Sequence, residues 1–514
     1  MHDMTSAFRR RDLLGAAAAG SAGLLLPGSV RSAPRRGGVL KLGMDGGNTA
    51  DSLDPMMIRS VPMGMAGLTL GNGLLEIDSD RNPLPDLAES WEVSQDAKQW
   101  VFRLRQGVTF HNGKTLEPAD VIYSIRRHLL AESTSSVKAL LQNIEQIRAD
   151  GPRNVAITLK EGNADLHVVL SLYNTVIVPD GFTDFANFVG TGPYVLKAFR
   201  PGIRFYAERN PNYWKPDRAW VDAVEVIFIS DANARTNALM SGQVHAIDQV
   251  DQKIAARLAT VRNLKLIEAG GTKFLSLAMQ TGSDTFRSSH ARMAIKLGLN
   301  RDELVKKTLA GFGEVGNDLP IAPGDPFLNT DLPQRQYDPD KAKWHVRQAG
   351  FETLPVELHT SLLVYAGAVE AAALMKETMA PAGIAMTIRN DPPDGFWSNV
   401  WRHRDFVMAR WFMRPTQALT LDVFNACSSA YNESKWCDDR FDRLLGEVRV
   451  ETDFNKRKDL FWELQKIVHD TGGSSIFAFP ATLDAYSTKV GGARRDGIQT
   501  FLGLRIAERV WLES

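Results

Sequence analysis

FRLRQGVTFHNGKTLEPADV, Phe102 to Val121, joins an alternating apolar run, a glycine turn and a helix start. Phe102 and Leu104, and past the Gln106-Gly107 turn Val108 and Phe110, alternate with Arg103, Arg105 and Thr109, the period of two half-buried strands. Asn112-Gly113 then turns the chain. Pro118 suits the first helical position, where its missing N–H costs nothing, and Asp120 places negative charge in the first turn. Val121, Ile125 and Leu129 follow at helical spacing, so an amphipathic helix is predicted from Pro118 to about His128. The segment Gly107 to Thr115 imitates a phosphate-binding loop. Five residues separate its glycines where that loop needs four, so it is read as strand and turn, with His111 a structural turn residue.

Working outward, Val39 to Met44, Trp100 to Leu104, Val155 to Leu159, Thr175 to Val178 and Val224 to Ile229 read as strands. Helices are predicted at Asn233 to Ser241, at Gln252 to Ala259, at Pro339 to Ala349 after the cap Asp338, and between Asp453 and Gly472. Phe274 to Met279 is an apolar run before a polar turn, and no tandem repeat is visible.

The opening block and the preceding LAESWEV, Leu87 to Val93, resemble the signature of family 5 extracellular solute-binding proteins, receptors of ABC importers for dipeptides, oligopeptides and nickel complexes. GTGPYVLKAFRPG (Gly190 to Gly202), RNPNYW (Arg209 to Trp214), ARMAIKLGLNRDELV (Ala291 to Val305), YDPDKAKWHVRQAGF (Tyr337 to Phe351) and FDRLLGEVRVETDFNKR (Phe441 to Arg457) resemble family blocks in the family's order. The resemblance implies an α/β, two-lobe periplasmic binding protein fold of type II, in the large cluster with an extra subdomain in lobe one. It also implies that Phe274 to Met279 crosses into lobe two. The expected division is a signal peptide over 1–33, lobe one over 34–275, lobe two over 276–484 and a return to lobe one over 485–514.

Bulk composition is compatible with this. The 514 residues, 44% hydrophobic, can bury more than one core. Lys plus Arg and Asp plus Glu are 60 each, and without residues 1–33, which hold four arginines and two aspartates, the net charge is −2. Nothing in that balance points to nucleic acid. Arg9-Arg10-Arg11 precedes a mildly apolar run and a small-residue exit near Ser32-Ala33, similar to a twin-arginine signal built on Arg10 and Arg11. The run holds about 12 apolar or small residues against roughly 20 for a membrane span. No cysteine precedes Cys427, so the reading is a periplasmic protein that is not a lipoprotein, exported by the twin-arginine or Sec route. Cys427 and Cys437 read as a local disulfide in an oxidising compartment, with two reduced buried thiols as the alternative.

Searches for a nucleophile, base or metal set fail: G-x-S-x-G, H-E-x-x-H and C-x-x-C are absent. No catalysis and no cofactor are therefore expected, and a hydrolase is the remote rival. Gly190, Gly192 and Pro193 read as a tight turn between segments. The richest binding surface is Asp391 to Thr416, with Trp397, Trp401, Trp411, Asp394, Arg414 and Thr416 as candidate ligand contacts. Tryptophans supply flat apolar walls, while an acid and an arginine can hold the two ends of a zwitterion. For Trp397 and Trp401, four apart on one possible helix face, core packing is the first reading and ligand contact the alternative. Trp411 and Arg414 lie in a segment that the resemblance places at the cleft.

Here the chain departs from the family. Peptide receptors follow the equivalent of Trp411 with an acidic run whose Asp takes the ligand's α-amino group, whereas this chain has Arg414 and no acid before Asp422. An arginine repels an amine, so ordinary dipeptide recognition is in doubt and a carboxylate partner is favoured. Ala278, where relatives carry Asn, is a second departure. The expectation is a monomeric receptor for a small peptide-like or carboxylate-bearing solute, delivered to ABC permease subunits. A metal chelate such as a nickel complex, an opine or another amino-acid conjugate are the alternatives.

Overall fold

The computed structural model describes residues 33–270 and 272–513, so the export signal expected around Arg10 and Arg11 lies outside the described residues. Val39–Met44 is the buried middle of a seven-stranded sheet, its Leu40, Leu42 and Met44 closed to solvent. The sheet runs Leu264–Ala269, Thr482–Ser487, Ala246–Ile247, Val39–Met44, Ala223–Phe228, Arg204–Arg209, Tyr194–Arg200. Val39–Met44 is parallel to both its neighbours, so each connection is a crossover.

A second, six-stranded sheet runs Gly313–Val315, Ser474–Pro480, Lys273–Met279, Phe406–Phe412, Leu354–Thr360, Ile384–Asn390. Lys273–Met279 pairs with Phe406–Phe412 on one side and Ser474–Pro480 on the other, all within this sheet. Thr482–Ser487, immediately after Ser474–Pro480, is back in the first sheet. The chain therefore passes between the two sheets around residues 270–272 and again around 481. Each sheet carries its own apolar core.

The opening block belongs to a third, four-stranded sheet, Ala88–Val93, Gln99–Leu104, Asn154–Leu159, Ile144–Ala149, packed on helix Pro118–Leu129 over a separate core. Its first half folds as read, with Trp100, Phe102 and Leu104 buried. Its second half does not form a strand. Phe110 N donates to Lys114 O at 2.8 Å and Leu116 N to Val108 O at 3.0 Å, closing the loop on itself with a single bridge between Thr109 and Thr115. Val108 and Phe110 are buried from within that loop, which gives a strand-like alternation without a ladder. Asp120 does more than favour the helix dipole. It is buried, accepts from Glu117 N at 2.8 Å and Asp180 N at 2.7 Å, and meets Lys114 Nζ at 2.8 Å.

Thr175 to Val178 is likewise not a strand. A short 3-10 turn, Tyr173–Thr175, precedes buried extended chain tied by Ile177 N to Asn72 O at 2.9 Å; burial on all sides accounts for its β-like composition. The other helices stand close to their expected bounds at Ala232–Met240, Gln252–Ala259, Pro339–Gln348 and Phe454–Thr471. His111 is a structural residue. Its Nδ1 accepts from Gly190 N at 3.3 Å and its Nε2 donates to Gly192 O at 3.1 Å, which selects the Nε2–H tautomer. A Cβ at Gly190 would lie 2.3 Å from Leu70 O, and one at Gly192 2.3 Å from Leu70 C, so both glycines serve close approach to helix Val61–Leu70.

Candidate ligand-binding cleft

Strand Phe406–Phe412 ends with a last ladder bond, Met413 N to Thr272 O at 2.8 Å. Arg414 N then donates to Thr420 Oγ1 at 3.1 Å, Pro415 follows, and Thr416 caps helix Gln417–Asn425 by accepting from Leu419 N at 3.1 Å. This strand-to-helix corner projects Arg414 into a cavity of about 300 Å³. Thr272, Met413 and Gln417 form its wall on the side of the second sheet; Leu68, Tyr173 and Gln499 face them from the side of the first.

Three arginines line the cavity, and their surroundings differ. Arg505 is saturated: its guanidinium lies 3.1 Å from Glu508, 3.4 Å from Asp86 and 3.6 Å from Glu76. Lys215 joins the same network at 2.9 Å from Asp86 and 3.0 Å from Glu76. Burial alone would push the Glu76 carboxyl up, but Arg505, Lys215 and Arg509 hold it well below the usual range. Arg81 donates to Gly497 O at 3.2 Å and lies 3.8 Å from Asp325, which also accepts from Gln417 Nε2 at 2.6 Å. Arg414 has no acid within ion-pairing distance among the described residues, and its buried Nε has no hydrogen-bond partner. A guanidinium left without a counter-ion in this way is complementary to an incoming anion.

Trp411 is placed differently from the expectation. Trp411 is only 7% exposed and lies stacked on Phe274 with centroids 6.2 Å apart, edge-on to Phe424 at 4.9 Å and to Trp401 at 5.7 Å. Its indole N–H is committed to Glu433 Oε2 at 2.7 Å, and that of Trp401 to the same oxygen at 3.1 Å. Ser276 and Ser474 donate to Glu433 Oε1 at 2.7 and 3.1 Å. Glu433 is fully buried, and desolvation raises its pKa against the pull of these four bonds. The loop that carries it is closed by a Cys427–Cys437 disulfide, at a sequence separation of 10.

Arg414 lines the cavity and Cys427 is bridged to Cys437, whereas Trp411, expected at the cleft, is buried and bonded to Glu433; for Trp397 and Trp401 the core-packing reading describes their setting. Trp397 and Trp401 pack between two apolar clusters, and Trp397 meets Trp401 edge-on at 6.0 Å. Asp394 stands on an exposed turn, away from the cavity lining, and the Thr416 hydroxyl is occupied by its cap. Glu433, Arg81, Gln417 and Gln499 were missed. Only Glu433 carried a signal, an isolated acid inside a cysteine-bounded loop. Among the described residues no group of three or more His, Cys, Asp or Glu side chains is spaced to hold a metal ion.

The model of the family 5 middle region of bacterial extracellular solute-binding proteins matches residues 82–432. Di/tripeptide-binding protein 2 of Pseudomonas aeruginosa (strain UCBPP-PA14) is 27% identical over 454 residues, 80% of this chain and 84% of that protein. Among solved structures, the PBP AgaA from A.tumefacien R10, in complex with agropinic acid, superposes with a TM-score of 0.70 at 25% identity, over 93% of this chain and 99% of AgaA. HbpA2 from Haemophilus parasuis reaches 0.82 at 19% identity, over 93% and 100% of the two chains, a likeness of fold. With two crossovers between the sheets, a cleft walled from both sides and a family match over most of its length, the chain belongs to the family 5 bacterial extracellular solute-binding proteins.

Proposed function

We propose that this chain is the periplasmic solute-binding component of an ABC importer. It captures a small solute bearing a carboxylate or comparable anionic group and hands it to the permease without chemical change. The observation that carries this reading is Arg414, the one of the three cavity arginines with no acidic neighbour among the described residues. An amine is disfavoured at that position, because two cations would face each other across the cavity. A cavity of about 300 Å³ suits a small solute rather than a long peptide. The AgaA complex supports an opine or other amino-acid conjugate as the second reading within the same chemistry.

We infer that the lobes expected over 34–275 with 485–514 and over 276–484 change over a few residues earlier at each crossing, since Lys273–Met279 pairs within the second sheet and Thr482–Ser487 within the first, and that the solute shifts the population toward the closed arrangement. Export by a twin-arginine-type signal ending near Ala33, and action as a monomer, complete the proposal. Its test is a thermal-shift screen across dipeptides, amino-acid conjugates, opines, sugars and metal chelates. A ligand at 100 times its Kd stabilises by about 2.7 kcal/mol. Carboxylate-bearing solutes are expected to dominate the hits; a response confined to neutral or cationic solutes would overturn the reading.

A further inference from the structure

We propose that His290 and His345 form a binding site for a divalent transition-metal ion of the zinc and copper(II) class, apart from the cavity that holds Arg414. Helices Ser289–Gly298 and Pro339–Gln348 pack together, with Ala291, Ala294, Ala342 and Val346 buried in one apolar core. That packing brings together two rings 55 residues apart in the chain: His290 Nδ1 lies 2.8 Å from His345 Nδ1. Both histidines are half-exposed, and neither lines the Arg414 cavity. Trp344, 51% exposed, stands edge-on to both rings, 5.7 Å from His290 and 4.7 Å from His345.

Two facing Nδ1 atoms bond only if one ring donates its hydrogen and the other accepts. A metal ion can take the place of that hydrogen. The donating ring then carries its proton at Nε2, both Nδ1 lone pairs are free for the ion, and no net proton is released from the neutral pair. The spacing suits this exchange. Nitrogens bound to one ion at about 2.0–2.1 Å, with about 90–109° between them, stand about 2.8–3.4 Å apart. The two rings are already at the near end of that range, with centroids 5.0 Å and planes 37° apart, and a small swing of each turns both lone pairs toward one point.

The surroundings select the kind of ion. Burial first, then His290, Lys341 and Arg335, hold the His345 pKa below its ordinary value, so that ring keeps a lone pair at neutral pH. Arg335 is itself tied to Asp318 at 2.6 Å, and Lys341 is exposed one turn before His345. Among the described residues no carboxylate, thiol or third imidazole completes a set of three, so water fills the rest of the ion's shell. Magnesium and calcium need oxygen ligands and are disfavoured here, whereas imidazole suits zinc and copper(II).

The test is calorimetric titration of the untagged, metal-stripped protein with ZnCl2 in a non-chelating buffer at neutral pH, with copper(II) electron paramagnetic resonance as a second readout. One zinc ion per chain is expected, with a change in Trp344 fluorescence. His290→Gln and His345→Gln, each with a wild-type circular dichroism spectrum, should each weaken binding about tenfold or more, since losing a ligand costs at least as much as losing a ligand's supporting hydrogen bond. His403→Gln, at an exposed histidine elsewhere, should bind zinc as wild type does. The copper spectrum should show coupling to two nitrogens, falling to one in either single variant. The proposal is overturned if the wild type binds zinc no more tightly than the His290→Gln, His345→Gln double variant, or if the two-nitrogen pattern survives both single substitutions.

Discussion

Replacing Glu433 tests how the cleft wall is held. In Glu433→Ala the two indole N–H groups lose their acceptor inside the core, and unlike the hydroxyls of Ser276 and Ser474 they cannot rotate to another. An unsatisfied buried donor costs about 1–3 kcal/mol, so two cost roughly 2–6, reduced by no longer burying a carboxylate. The expected loss is about 3 kcal/mol. Glu433→Gln behaves differently: its amide oxygen can serve both indoles while its NH2 donates to the serine hydroxyls, which reverse to accept. That variant should lose only about 1 kcal/mol. Urea unfolding followed by tryptophan fluorescence and near-ultraviolet circular dichroism separates the two. If Gln costs as much as Ala, or Ala costs less than about 1 kcal/mol, the four-bond account of Glu433 is wrong.

Arg414→Ala should weaken binding of an acidic solute by about 1.5–3 kcal/mol, the range for a charged hydrogen bond, and calorimetry showing unchanged affinity would remove Arg414 from the site. Reduction of the Cys427–Cys437 bridge should cost about 2–3 kcal/mol in urea, and the oxidised protein should show no free thiol under denaturing conditions. Burial holds His111 and His128 neutral down to a pKa of about 4, against about 6.5 when unfolded. Above pH 6.5 both states are neutral and these groups add no slope. As pH falls from 6.5 toward 4 the unfolded chain takes up protons first, so stability drops, at pH 5 by roughly 2 kcal/mol for each histidine. His111→Gln should flatten the pH dependence of the urea midpoint over that window, and an unchanged slope would count against a neutral His111.

Local signals carried much of the fold. Caps such as Asp338 and Asp453, which accept from the third residue of their helices, fall where sequence places them because capping needs only neighbouring backbone. Val108 to Phe110 and Thr175 to Val178 were misread for one shared reason. Apolar side chains buried from a loop or a connecting segment have the composition of a strand, and the missing ladder partner is not a local property.

The candidate site divides along the same line. From sequence alone follow the family scaffold, a closely spaced cysteine pair, and the presence of an arginine where the resemblance to peptide receptors leads one to expect an acid. That tryptophans near Arg414 brace the wall rather than line it depends on Glu433, 22 residues beyond Trp411 in the chain and 2.7 Å from it in space. That Arg414 is the cavity arginine left without an acid depends on Glu76, Asp86 and Glu508 reaching Arg505, and Asp325 lying near Arg81, from distant parts of the chain. A side chain's type is local, whereas its unmet charge is set by everything folded around it, and only the tertiary structure decides that.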